Sequence, residues 1–312
     1  MKYIECINEL IKNEVSKHEK LVLFGQNIAA GSCLGGLTRK LPLPKNGKII
    51  NSTNSENSLC GFGFGLMIND VSSIFFMKQL DFLLLGIDHI VNTFNIIRNF
   101  EHLKSNASFT IMPIIMDNGY QGPQSSSNNF SDFCSIARIP GFTINNKTDA
   151  EKIISTELVK PGFRIIGVSQ RLFHEEIISP KKLEYVNNNT IFQYSNGSDV
   201  TIVCFNFSFP YGVELSKKLE ESKNESSIFT VNSPIELEWS KIIANVKSTK
   251  KLVVFEDSKS INTNLHSLLY EVNKNCDLEK EIIVKRVIDE KWLNPVSDEI
   301  EIEYNKIITE LS

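Results

Sequence analysis

The sequence is poor in several features that would have narrowed its class at once. Six cysteines are spread over 312 residues, and the closest pairs, Cys6–Cys33 and Cys33–Cys60, are 27 positions apart. That leaves no CxxC pair and no zinc-ligand spacing. The first residues carry Glu5, Glu9 and Lys12 where a secretion signal would need an apolar core. The thiols are therefore expected to be small buried groups rather than disulfides. No excess of one charge is present: 33 Lys and Arg against 37 Asp and Glu leave a formal charge of −4. Without a basic excess or stripe, nucleic-acid binding is not expected. No apolar run reaches the ~20 residues that span a bilayer. The most apolar region, from Phe62 to Val91, is interrupted by Asn69, Asp70, Lys78, Asp81 and Asp88. A cytoplasmic protein without membrane contact is the expectation. Four common catalytic templates are missing as well: GxGxxG after a strand, the P-loop GxxxxGK[ST], the GxSxG elbow, and HExxH among the five histidines.

What is there is globular. Hydrophobic residues make up 41%, charged 22% and aromatic 9%, which excludes general disorder. At ~150 residues per domain the length suggests two domains. Apolar residues at Ile4, Ile7, Leu10, Ile11 and Val15 recur with helical spacing, and KLVLF (Lys20–Phe24) is a short buried strand. Leu59–Met67, with Gly61, Gly63 and Gly65, is expected to be a closely packed helix before the strand Ser72–Met77. Asp81–Phe100 has one long helical face. Strands are expected at Phe109–Met116 and Phe163–Val168, with a helix at Asp149–Leu158 between them. After Lys181 the character changes. A polar hairpin or connector at Tyr185–Asn196 precedes strands at Val200–Phe205, Ile228–Val231 and Leu252–Phe255, alternating with helices. The alternation predicts an α/β fold of two domains, 1–182 and 183–312, each a mainly parallel sheet covered by helices.

One constellation could carry chemistry. NSTNSE (Asn51–Glu56) leads into the glycine-rich helix, and Phe82 follows Glu56 by 26 positions within KQLDFLLLGIDHIVN (Lys78–Asn92). By spacing alone, Glu56 is a helix-start carboxylate and Phe82 a core ring. The ordered set of segments, however, resembles the beta subunit of the thiamine-diphosphate-dependent decarboxylating component of 2-oxo acid dehydrogenases. VLFGQNIAAGSCLGGLTRKL (Val22–Leu41) is similar to that family's strand, "GEDV", glycines and "T.GL". KIINSTNSEN (Lys48–Asn57) is similar to "RV.DTPISE", and QLDFLLLGIDHIVN (Gln79–Asn92) to "..DF...A.DQIVN". RIPGF (Arg138–Phe142) resembles "H.PGL", GSDVTIV (Gly197–Val203) matches "GSDVTIV", and Ser233–Asp257 resembles "RPLD...I..SV.KT.RLVVVEE".

The resemblance implies a transketolase-like pyrimidine-binding domain followed by a transketolase C-terminal domain. It implies that Glu56 hydrogen-bonds the pyrimidine of thiamine diphosphate as the catalytic carboxylate and that Phe82 stacks on that ring. Asn54 falls beside the ring where the family has an apolar residue. Mg²⁺ and the diphosphate are held in the family by a GDG motif, which this chain lacks, so an alpha-type partner subunit is implied, in an α₂β₂ assembly with the beta chains paired. The substrate would be a 2-oxo acid. The glycine-rich helix would lie at a subunit contact, so Gly63→Leu is expected to disturb assembly more than folding. The family's loop histidine is replaced: GPQSSSNNF (Gly122–Phe130) keeps Gly122, Pro123 and Gln124 of the family's loop and places Ser125, or Asn128 counting back from Pro140, at the histidine position, with Gln124, Ser125 and Asn128 as the substrate-loop candidates. Neither Ser nor Asn titrates near pH 7. Decarboxylation is expected to survive, with the product passing to lipoate or, given the missing histidine, to an aldehyde, ketone or sugar acceptor by carboligation. His89, at a family Gln position, is read as structural. A split transketolase or a degenerate, partner-stabilising subunit are the alternatives.

Overall fold

The computed structural model of the chain describes residues 1–118, 128–235, 237–286 and 300–312. The first half opens with α1 (Tyr3–Val15), which buries Ile4, Ile7, Ile11 and Val15 on the face their spacing implies. There follow β1 (Leu21–Gly25), β2 (Lys48–Asn51), α2 (Glu56–Ile68), β3 (Ser72–Met77), α3 (Phe94–Asn99), β4 (Ser108–Ile115), α4 (Phe130–Ala137), β5 (Gly141–Ile144), α5 (Lys147–Glu157) and β6 (Gly162–Ser169). The six strands form one sheet in the order β2-β1-β3-β4-β6-β5, and every pairing is parallel. β1 and β4 are buried along their whole length. That explains why they read as unbroken apolar runs rather than alternating ones.

The second half contains β7 (Tyr185–Asn187), β8 (Ile191–Gln193), β9 (Val200–Phe205), α6 (Phe209–Glu221), β10 (Ser226–Val231), α7 (Ser240–Thr249), β11 (Lys251–Glu256), α8 (Asn264–Asn275), β12 (Lys280–Lys285) and α9 (Tyr304–Leu311). Its sheet runs β12-β11-β9-β10-β8-β7. The four strands β9 to β12 pair in parallel, and the expected hairpin adds the antiparallel edge β8-β7. The fold is thus the two-sheet α/β architecture read from the sequence. One hydrophobic cluster runs through both halves, from Ile7 and Ile144 to Phe192, Cys204 and Val253.

Three differences have physical causes. The expected single helix over Asp81–Phe100 is broken into a 3₁₀ segment (Leu80–Gly86), a π-helical turn (His89–Thr93) and α3, with a 70° bend between the first and the rest. The break follows α2: a Cβ on Gly86 would lie 2.6 Å from the Cys60 Sγ, so the two elements touch at a residue without a side chain. The short elements β2, α4, β5, β12 and α9 carry too little periodic pattern to be read locally. Gly63 does not face outward. A Cβ there would stand 2.2 Å from the Phe109 ring of the same chain, so the expectation that Gly63→Leu acts on assembly rather than folding is corrected. All six cysteines are free. No single helix among the described residues is long and apolar enough to cross a membrane.

Candidate functional site

Because all six strands of the first sheet are parallel, their C-terminal ends share one edge. The strand order reverses between β1 and β3, and in open α/β sheets ligands bind at the crevice where the order reverses. Glu56 lies five residues past the end of β2, and Phe82 five residues past the end of β3. They therefore flank this crevice from its two sides.

The crevice is locally well built. Ser52 N donates to the Gly25 carbonyl at 2.9 Å, and Ala29 N to Asn51 Oδ1 at 3.3 Å. These bonds join the loops that follow β1 and β2. Gly25 has φ +147°, and a Cβ there would meet the Phe76 carbonyl at 2.1 Å, so β1 needs glycine to close against β3. Ser55 precedes α2 without capping it through its side chain, its Oγ donating instead to Ser58 Oγ at 2.9 Å. Glu56 is then the first helical residue, where a carboxylate meets the unpaired N–H groups of the helix start. It is half-buried, and Asn54 is exposed beside it. Phe82 is half-buried and packs against the cluster of Phe24, Cys60 and Phe64. The 3₁₀ segment that carries it rests on α2, with the Glu56 carbonyl 3.4 Å from where a Gly86 Cβ would be. The fold therefore brings the elements of Glu56, Asn54 and Phe82 to one place. His89 lies over Gly61, its Nε2 3.0 Å from the position of a Cβ there, and its Nδ1 bonds Thr93 Oγ1 at 2.9 Å.

Gln124 and Ser125 lie outside the described residues. Asn128 is described, and it is placed among second-half residues. It is buried, and its Nδ2 donates to the Asp257 carbonyl at 2.8 Å. Its Oδ1 accepts from Asn206 Nδ2 at 3.1 Å, and its own carbonyl accepts from Lys259 N at 2.9 Å. Both ends of its amide are thus used in joining the halves.

That junction was not legible locally. Asn206, Asn232 and Asp257 are each the first residue past β9, β10 and β11, and all three point into a polar seam. Arg171 Nη2 donates to Asp257 Oδ2 at 2.8 Å, and its guanidinium lies 4.9 Å from the Tyr211 ring centre. Asn232 Nδ2 donates to the Thr143 carbonyl and to Asp149 Oδ2, at 2.7 and 2.8 Å. The seam holds carboxyls out of water. Burial pushes Asp117 up to about 6, against the pull of Arg171, and Asp149 up to about 7, against donors from Asn146, Asn232 and Asn145. Burial likewise pushes Glu256 up to about 8. An Asn or Asp directly after a strand is too common for sequence reading to single these residues out.

With this geometry in place, the comparisons with known proteins define the class first. The chain superposes on a split-gene transketolase described as an inactive beta4 tetramer, with a TM-score of 0.70 at 16% identity over 98% of this chain and 95% of that one. It also superposes on the transketolase of Campylobacter jejuni subsp. jejuni NCTC 11168, with a TM-score of 0.64 at 12% identity, covering 91% of this chain and 42% of that one. A third match is the 2-oxoglutarate:ferredoxin oxidoreductase of Magnetococcus marinus, with a TM-score of 0.63 at 10% identity, over 100% of this chain and 65% of that one. The fold is the transketolase-like two-domain α/β fold. Among curated proteins the chain is similar to the pyruvate dehydrogenase E1 component subunit beta-1, mitochondrial, of Arabidopsis thaliana, 22% identical over 269 residues, covering 81% of this chain and 71% of that one. The resemblance to a thiamine-diphosphate-enzyme beta subunit read from the motifs is therefore borne out. No family model matches the chain.

Proposed function

We propose that this chain is the beta-type subunit of a heteromeric thiamine-diphosphate-dependent enzyme that decarboxylates a 2-oxo acid such as pyruvate and passes the acyl or hydroxyalkyl unit to an acceptor. The observation that carries the reading is the placement of Glu56 and Phe82 on either side of the crevice where the first sheet reverses order. The donor set suits the aminopyrimidine of the cofactor: a half-buried carboxylate to hold a ring N–H, and a half-buried aromatic ring to lie against its face. When bound, thiamine diphosphate supplies the carbanion chemistry. The chain's residues orient it. Glu56 accepts the proton-bearing edge of the pyrimidine and sets its tautomer, Phe82 fixes the plane of the ring, and Asn54 adds a polar contact at the rim. Mg²⁺ and the diphosphate fall to an alpha-type partner, as the missing GDG motif implies. On this reading residues 1–182 bind the pyrimidine and 183–312 form the second domain.

The test is proton exchange at C2 of the thiazolium in the assembled complex. Glu56→Gln is expected to slow it by ~10²–10⁴-fold, the usual worth of a positioned proton-transfer group, with the circular dichroism spectrum unchanged. Exchange at the wild-type rate would sink the assignment. A second reading, the C-terminal subunit of a split transketolase, is favoured by the near-complete overlap with the split-gene protein. Release of CO₂ from pyruvate by the complex supports the first reading; ketol transfer between sugar phosphates without CO₂ supports the second.

A further inference from the structure

The segment that carries Phe82 is a 3₁₀ helix of seven residues, Leu80–Gly86. Runs of this length are uncommon because i→i+3 bonds are poorly aligned, so the segment depends on packing for its shape. The period of three puts Leu80, Leu83 and Gly86 on one face. All three are buried, and Leu80 and Leu83 join the cluster of Phe24, Cys60 and Phe64, while Leu84 and Leu85 are exposed. The Gly86 backbone is helical and open to any residue, so no turn requires glycine there. The contact with α2 does. A Cβ on Gly86 would stand 2.6 Å from the Cys60 Sγ, and 3.4 Å from both the Cys60 Cβ and the Glu56 carbonyl oxygen. Cys60 is fully buried and lies one turn after Glu56 on the same face of α2. Burial pushes its thiol up to about 12, and the Glu56 carboxylate adds to the rise, which puts that carboxylate within electrostatic reach of the contact. The next residue of α2 repeats the fit in reverse. The His89 ring lies over Gly61, its Nε2 3.0 Å from the position of a Cβ there, and is tied through Nδ1 to Thr93 Oγ1. Cys60 and Gly61 thus offer a knob and a notch, and Gly86 and His89 the matching notch and knob.

We propose that Gly86 is a positioning residue, which with Cys60 keys the Phe82 segment to α2 and so sets the separation of Phe82 from Glu56. The inference rests on the reading of the crevice between them as the pyrimidine site of the cofactor. Neither Gly86 nor Cys60 is asked to touch the ligand. The Cys60 Sγ occupies the space that a side chain at position 86 would need. A methyl group there forces the two elements apart by about 1 Å, the distance from 2.6 Å to an ordinary contact. A carboxylate and a ring platform serve one planar heterocycle at one spacing only, and a misplacement of about 1 Å is worth up to ~10²-fold where groups act together. Removing the Sγ opens space without moving the segment, because Leu80 and Leu83 still hold it in the core.

The test compares wild type, Gly86→Ala, Cys60→Ala and the double variant. In the complex with the alpha-type partner, Gly86→Ala is expected to raise the calorimetric Kd for thiamine diphosphate by about tenfold or more, Cys60→Ala to leave it within about threefold of wild type, and the double variant to return to the Cys60→Ala value. Crystal structures of the chain alone are expected to show the Phe82 Cα farther from the Glu56 Cα by about 0.5 Å or more in Gly86→Ala, and back in place in the double variant. Urea midpoints separate position from stability: Cys60→Ala opens a cavity and lowers the midpoint while the Kd holds. A wild-type Kd or an unmoved Phe82 in Gly86→Ala, a double variant without rescue, or a Kd that follows the midpoint across the series would each overturn the proposal. If Gly86→Ala does not fold, Gly61→Ala presses on the His89 ring and is read the same way, with His89→Ala as its rescue. If the wild-type complex binds no thiamine diphosphate, the crevice reading fails, and the Phe82–Glu56 distance in the chain alone judges Gly86.

Discussion

The two halves build similar sheets and use their C-terminal edges in opposite ways. In the first, the order reverses between β1 and β3, and the crevice there is flanked by a half-buried carboxylate and a half-buried ring. In the second, the order reverses between β9 and β11, and that crevice is filled by the first half: the Asn128 amide lies between Asn206 and Asp257, with Arg171 beside it. The same topological position is thus flanked by Glu56 and Phe82 in one half and is a docking socket in the other. What differs is the length of chain that leaves each strand end. Short polar side chains immediately after β9, β10 and β11 can satisfy a neighbour's backbone, whereas longer loops after β2 and β3 lead into helices that hold Glu56 and Phe82 away from the strand ends.

The comparison can be broken at either edge, and the largest effect is expected in the open half. Gly63→Leu drives a side chain into Phe109 at 2.2 Å. It should lower stability by about 3 kcal/mol or more, read as a fall in the urea midpoint of the isolated chain. A wild-type midpoint would mean α2 can move away from β4. At the socket, Asn232→Ala removes the donor that serves both the Thr143 carbonyl and Asp149. Leaving buried groups unpaired costs about 2 kcal/mol, and equilibrium denaturation of the variant measures it.

A third test is the pH dependence of the socket. Asp117, Asp149 and Glu256 are raised by burial to about 6, 7 and 8. A carboxyl whose folded value exceeds its unfolded one binds the proton more tightly when folded. Its contribution is complete below the unfolded value near 4, and is lost as pH rises through the folded value. These three groups should therefore make the chain less stable at pH 8 than at pH 5, and Glu256→Gln should flatten the upper part of that slope. Urea midpoints across that range report it; a slope unchanged in the variant would remove Glu256 from the account. The smallest effect on the chain itself is expected for Gly65→Leu. A Cβ there meets nothing within 4 Å, and a helical Gly replaced by Leu gains up to about 1 kcal/mol in propensity. Its melting temperature should hold or rise slightly, while binding to an alpha-type partner weakens if this face of α2 is covered in the complex. Titration with the partner by light scattering separates the two glycines.

Legibility in the sequence followed the strength of local pattern. Long apolar runs such as Ser72–Met77 and Val200–Phe205 were placed to the residue, because a fully buried strand has to be apolar on both faces. The four-residue β2 and β5 were not: they sit at sheet edges, where half-exposed or glycine-led segments satisfy the same bonds. The broken segment from Leu80 to Asn99 kept a helical apolar period. Its kink depends on Cys60 and α2, which lie far away along the chain. For the site, motif order led to Glu56, Asn54 and Phe82, while Asn128 was read as a loop residue near substrate. Its amide is instead spent on Asn206 and Asp257, 78 and 129 positions away.

By itself the sequence determined the class of fold, the two-part organisation and the long strands of both parallel cores, and it singled out Glu56 and Phe82 as the candidate site. Each of these follows from local periodicity or from short ordered motifs, whose meaning does not depend on distant contacts. Only the tertiary structure decided which of the two similar crevices is filled by the other half, which glycine of α2 faces a ring and which faces space, and which asparagines join the halves. Those outcomes depend on pairings such as Asn128 with Asp257 and Gly63 with Phe109, where the free energy lies in burying one group against another. Such pairings leave no period and no motif in the chain.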